Sequence, residues 1–224
     1  MINEIKTPKK ITSDLAEETG LHIGDGSMNF YKNKNKTRGF YQLRGHIIDD
    51  KEHYETRIKE LYNSVYNLKP SMREMKSTGV YGFQIWSDAI INFKKQVLKL
   101  PLGEKVEIGI PKIFYKKKEF LVSVLRGIYD TDGCLYLEKR NNRLYPRMEF
   151  KTTSKKLSKQ IDKILLSLNL RATRYSFTRK EENQRDLYTV CIRGNEYVPK
   201  AFNLIKPANQ KHIKKFEFYK EKYL

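Results

Sequence analysis

Two Asp-Gly dipeptides, Asp25-Gly26 and Asp132-Gly133, stand 107 positions apart in a chain of 224 residues. A lone Asp-Gly is a common turn signal. Here each copy closes a helically patterned segment with a glycine five positions before the acid, Gly20 and Gly127. A mid-helix glycine costs about 1 kcal/mol relative to alanine. Its recurrence at one offset predicts two helices packed too closely for a Cβ, with Gly24 on the same face as Gly20. Such a pair would deliver Asp25 and Asp132 side by side at helix C-termini, where the dipole disfavours an anion. Carboxylates held against that trend need a cation, and a divalent metal is the natural one.

The elements that position these acids follow from an internal repeat. Tyr81-Gly82-Phe83-Gln84-Ile85 matches Tyr188-Thr189-Val190-Cys191-Ile192 at the same spacing of 107, and Pro101 and Lys105 match Pro207 and Lys211 at 106. The join contains Pro111 and the lysines Lys112, Lys116, Lys117 and Lys118, which divides the chain into halves 1–110 and 111–224. Each half reads helix, strand, strand, helix, strand, strand, helix, an αββαββα plan of α+β class. The first helix is expected to be capped by Ser13 or Asp14, with Glu17 completing a capping box from Asp14. Its counterpart starts near Glu119, and longer helices are expected over 50–68 and 157–168.

Lys plus Arg number 45 against 26 Asp plus Glu, a formal charge of +19 that predicts a polyanionic partner. The strand positions opposite the apolar ones carry Arg, Gln, Asn, Ser and Tyr, the groups that can read base edges as well as touch phosphates. In the first half this face, with its adjoining turn, is expected to hold Ser27, Asn29, Tyr31, Lys32, Lys34, Arg38, Gln42, Arg44, His46, Gln84 and Trp86. In the second it is expected to hold Tyr136, Glu138, Arg140, Arg143, Arg147, Glu149, Arg174, Ser176, Thr178 and Arg193. His22, His53 and His212 lack metal-ligand spacing and are expected mostly at the surface or facing the polyanion.

Leu125-Arg126-Gly127-Ile128-Tyr129-Asp130-Thr131-Asp132-Gly133 resembles the signature of the LAGLIDADG homing endonucleases, and Glu18 to Gly26 resembles a degenerate first copy. Glu18, Thr19 and His22 depart from its usual apolar slots. Two signatures at this separation resemble the single-chain, two-repeat members. The resemblance implies a pseudo-twofold pair of αββαββα repeats whose antiparallel sheets form a saddle over double-stranded DNA. It implies that Asp25 and Asp132, with their neighbours Gly24 and Thr131, hold Mg2+ or another divalent cation such as Mn2+ at the scissile phosphates. It places a lysine from the end of each half near the site, matched by Lys105 and Lys211. The chemistry implied is metal-assisted phosphodiester hydrolysis giving a double-strand break, performed by a monomer. Asp130 has no acidic counterpart in the first half, where Ile23 takes its place, and receives no catalytic role.

Other classes fit less well. No run approaches a membrane span, and Met1 to Lys6 has no apolar stretch of a secretory signal, so a soluble intracellular protein is expected. Cys134 and Cys191 form no CxxC pair, which excludes a zinc finger and a disulfide scaffold. No phosphate-binding or dinucleotide fingerprint is present. Glu149-Phe150-Lys151 has the Glu-x-Lys form of restriction-like nucleases, but that reading ignores the repeat. Met1 and the ending Lys222-Tyr223-Leu224 do not support protein splicing. The alternative within the same fold is a catalytically inactive DNA- or RNA-binding protein, a splicing maturase or regulator.

Overall fold

A computed structural model describes residues 4–34, 36–178 and 185–223. The first half begins with α1 (Ser13–Gly24), followed by β1 (Gly26–Asn33) and β2 (Lys36–His46). A continuous helical run then joins α2 (Lys51–His53), a widened π turn at Tyr54–Ile58, and α3 (Lys59–Tyr66). β3 (Arg73–Met75), β4 (Val80–Trp86) and α4 (Asp88–Gln96) complete it. The second half repeats the order with α5 (Lys118–Asp132), β5 (Gly133–Arg140), β6 (Arg143–Thr152), α6 (Lys155–Ser167), β7 (Thr173–Phe177), β8 (Leu187–Arg193) and α7 (Tyr197–Ile205). A further helix, α8 (Gln210–Tyr223), lies beyond the repeated plan.

The two sheets have one topology, β1-β2-β4-β3 and β5-β6-β8-β7, with every pairing antiparallel. Strand alternation buries one face of each against helices. Tyr41, Leu43 and Phe83 fill the first core, and Met148, Phe150, Val190 and Ile192 fill the second. Both long helices stop at an asparagine in the left-handed region, Asn67 at φ 52° and Asn169 at φ 59°, each followed by leucine. That is the C-terminal stop asparagine serves best after glycine.

Local chemistry departs from expectation at the first helix. Thr12 caps α1, its side chain accepting from the Leu15 amide at 3.1 Å. Ser13 and Asp14 lie inside the first turn, and Asp14 is drawn to Arg57 and Ser64 on the next helix. The apolar slots that Glu18 and Thr19 vacate are filled by polar partnerships. Glu18 is fully buried, paired with the equally buried Lys94 at 2.6 Å and accepting from the Tyr62 and Tyr66 hydroxyls. Thr19 donates to the Leu15 carbonyl one turn back.

The halves meet along α1 and α5. A Cβ on Gly20 would lie 2.9 Å from the Gly127 Cα, and one on Gly127 would lie 2.6 Å from the Leu21 amide nitrogen. Neither position can accept a side chain without the helices separating. Glu17 pins the seam: it is buried and accepts from Arg57 of its own half and from Arg126 of the other at 3.0 Å.

Candidate active site

The close helix contact sets the position of the acids. Asp25 is the residue after α1 and Asp132 ends α5, so each immediately precedes the first strand of its sheet. A Cβ on Gly24 would sit 3.4 Å from Asp132 Oδ2, which shows how nearly the two helix ends coincide. Asp25 is half-buried and accepts from the Tyr54 hydroxyl at 3.2 Å. Its burial, the charge of Asp132 and that of Asp50 raise its pKa to about 7 against the opposing Tyr54 hydrogen bond and Lys211 charge. Asp132 is more open to solvent, yet the protein crowded around it raises it to about 6, with Lys105 and Lys211 pulling the other way.

Both sequence-matched lysines reach this junction, by different routes. Lys105 donates to the Ile23 carbonyl at 2.9 Å and also to His22 and Gly24 carbonyls. Its ammonium thus occupies the negative end of α1, where a cation belongs. Burial lowers its pKa while Asp132 and Asp25 oppose that effect. With Gly24, Asp132 and Lys151 it lines a cleft of about 300 Å³. Lys211, in the first turn of α8, pairs with the buried Asp50 at 2.7 Å. Asp130 serves the neighbouring loop rather than this junction. It is buried and accepts from the Ala208 and Asn209 amides, holding the loop that leads to Lys211.

The donor set suits a divalent cation of the magnesium type. Such an ion takes one or two carboxylates and completes its shell from phosphate oxygens and water. Among the described residues no cluster of three His, Cys, Asp or Glu side chains is placed to cage a metal. Two crowded carboxylates that resist ionisation are relieved by such a charge. Thr131 cannot contribute its hydroxyl freely, because it donates to the Gly127 and Ile128 carbonyls.

Register decides which polar residues share the sheet face leading away from the acids. In the first sheet Ser27, Asn29 and Tyr31 lie opposite Gln42, Phe40 and Arg38, and Gln84 and Trp86 lie opposite Gln42 and Phe40. Arg44 and His46 continue the row. Gln84 bridges Gln42 at 3.0 Å and Arg73, a three-strand polar ladder. Tyr31, Phe40 and Trp86 pack together, with Arg38 over the Trp86 ring at 5.6 Å. In the second sheet Tyr136, Glu138, Arg140, Arg143, Arg147, Glu149 and Arg193 share one face, and Arg140 and Arg147 pair with Glu138. Glu149 is tied to Lys151 at 3.2 Å and sits between Cys134 and Cys191 in the ladder.

Five expected face residues lie elsewhere. Lys32 follows Met28 and Phe30 on the helix side of β1, and Lys34 occupies the turn after it. Arg174 lies opposite the core residue Val190, and Ser176 follows it on that side, so Tyr175 and Phe177 face outward instead. Thr178 lies past the end of β7. The histidines also depart from expectation: His22, His53 and His212 are buried, and only His46 is exposed on the polar face. Burial holds His53 near pKa 4 and His212 near 3, both neutral at physiological pH. Sequence reasoning missed Asp50, Tyr54, Phe40 and Arg73, none of which has a like residue at the repeat-matched position, and met Lys151 only in the Glu-x-Lys form it set aside.

Comparison with known proteins agrees with this architecture. Residues 119–206 match the LAGLIDADG-like domain family. The I-DmoI homing endonuclease, solved in complex with DNA and Ca, is 17% identical with a TM-score of 0.59, covering 85% of this chain and 86% of its own. The LAGLIDADG homing endonuclease I-GzeII, solved with its DNA target, is 14% identical with a TM-score of 0.57, covering 95% and 89%. The chain therefore has the fold of the single-chain LAGLIDADG homing endonucleases, with a LAGLIDADG-like domain in its second half. It is also 25% identical over 205 residues to a glutamine–fructose-6-phosphate aminotransferase of Methanocaldococcus jannaschii, covering 91% of this chain and 17% of that protein. It is 25% identical over 156 residues to a replicative DNA helicase of Synechocystis, covering 68% of this chain and 15% of that protein. No described helix is long and apolar enough to cross a membrane.

Proposed function

We propose that this protein is a site-specific DNA endonuclease of the homing type that makes double-strand breaks by divalent-metal-dependent hydrolysis. Two half-domains, 1–110 and 111–224, each serve one strand, and the chain acts as a monomer inside the cell. The observation that carries the reading is the pair of crowded carboxylates, Asp25 and Asp132, brought together by a glycine-mediated helix contact where two polar sheets begin. Fold likeness to endonucleases solved with DNA, and the charge of +19, support the substrate. An aminotransferase and a helicase share no activity, yet each contains a short segment similar to this chain. Their common part reads as a module that travels between host genes.

Asp25 and Asp132 would hold the cation, with the adjoining Gly24 and Thr131 backbone beside them. When bound, the ion supplies Lewis-acid stabilisation and lowers the pKa of water. Lys105 and Lys211 place positive charge where the phosphate enters and where charge develops in the transition state. The face running from Ser27 to Trp86, and from Tyr136 to Arg193, meets the duplex, with arginine and glutamine groups suited to base edges. The test is cleavage of a randomised duplex library in Mg2+. Wild type is expected to yield linear cut products, whereas Asp25→Asn and Asp132→Asn each bind DNA but do not make double-strand breaks. Unimpaired cutting by either variant refutes the assignment.

A further inference from the structure

The repeat places one residue at the start of the helix after the second strand in each half: Asp50 precedes α2 without a side-chain capping bond, whereas Ser154 caps α6 through the Leu157 amide. The two residues meet the crossing loop of the opposite half. Ser154 Oγ donates to the Ile108 carbonyl at 2.7 Å, a neutral bond in the loop that follows Lys105. Asp50 is different. It is 5% exposed and accepts from Lys211 Nζ at 2.7 Å, from Asn209 Nδ2 at 2.7 Å and from the His46 amide at 2.7 Å. Four residues on, Tyr54 donates to Asp25, where the equivalent place in the other half is Ser158. Among the described residues Lys105 has no carboxylate partner of this kind, and it rests on backbone carbonyls.

From this we infer that Asp50 is a positioning residue for Lys211, and that the two strand-cutting half-sites are chemically unequal. The inference rests on the endonuclease reading above. Asp50 fixes the Lys211 ammonium from across the pseudo-twofold seam and offsets part of its charge. Asn209 reinforces that arrangement, because its amide also donates to the Asp130 carbonyl at 2.9 Å. Lys105 instead rests on the carbonyls that end α1, facing both Asp132 and Asp25. Loss of the Asp50 charge therefore acts on the strand that Lys211 serves far more than on the strand that Lys105 serves.

The experiment uses a duplex recovered from the library selection, labelled differently on each strand, with first-order nicking followed strand by strand. Lys211→Met and Lys105→Met identify the strand that each lysine serves. Asp50→Asn, and Asp50→Ser as the residue the other half uses, both remove the charge and keep a residue type favoured at a helix start. Each is expected to change cutting of the Lys211 strand by at least about tenfold, the effect of ~1.4 kcal/mol on a barrier. Cutting of the Lys105 strand stays within about twofold, on the scale of a few tenths of a kcal/mol. Equal slowing of both strands, tracking a fall in melting temperature, reduces Asp50 to a structural residue and overturns the inference. So does an unchanged strand ratio in both variants. Failure of wild type to cut any library member overturns the endonuclease reading, and this inference with it.

Discussion

Asp25→Asn should stabilise the protein while abolishing the proposed DNA cutting. In the absence of metal the Asp25 carboxyl is raised from 3.8 to about 7 by burial and by its acidic neighbours. A folded-state pKa above the unfolded one means that the folded chain binds the proton more tightly. The associated stability is present below pH 4 and is lost as pH climbs through about 7. The full shift would correspond to ~4 kcal/mol. Asp25 is half-buried, so solvent on its open side reduces this to about 2 kcal/mol. Asparagine has nearly the same shape, carries no charge, and still offers an oxygen to the Tyr54 hydroxyl. In chelator at pH 8 the variant should melt roughly 4–8 °C above wild type. At pH 3.5, below the unfolded value, the two should nearly coincide. Mg2+ should then raise wild type and not the variant, because binding to the folded state alone is stabilising. Thermal denaturation across pH 3.5–8, with and without Mg2+, measures all three. A variant no more stable than wild type at pH 8 would refute the claim that these carboxylates are held in a strained array awaiting a cation.

Two further outcomes follow from the packing. Lys94→Met strands Glu18 as a buried, unpaired charge and should cost about 3–5 kcal/mol by urea denaturation. The double variant with Glu18→Gln should recover much of that loss, and a double variant as unstable as Lys94→Met would sink the argument. Gly127→Ala places a Cβ against the Leu21 amide and should cost about 1–3 kcal/mol while shifting the acids apart, read as lost stability together with lost cutting. Unchanged melting would show that the seam is looser than described.

Much of this was legible because duplication writes the same constraint twice. One Asp-Gly says turn; two behind matched glycines say that something must approach both helices, and Gly20 and Gly127 do meet. Periodicity also located the sheets, since central strands such as β2 and β6 bury every second side chain. It failed on β7. That strand has a neighbour on one side only, so Tyr175 and Phe177 face outward at little cost, and their aromatic character pointed to the wrong face. Composition likewise could not place His22, His53 and His212, whose neutral rings are buried around the acids. Nor could it find α8, which has no counterpart in the first half yet carries Lys211.

Asp50 was illegible for a related reason, and that reason bears on function. Repeat analysis finds what the halves share, and so is blind to what only one of them has. A symmetric dimer must present identical groups to both strands. Fusion of the halves into one chain removes that constraint, so Asp50 can face Ser154 across the axis and Tyr54 can face Ser158. In the proposed function the shared residues, Asp25 with Asp132 and Lys105 with Lys211, carry the chemistry common to both strands. The unshared ones, gathered around Lys211, are where a single chain can set the two cuts to different rates.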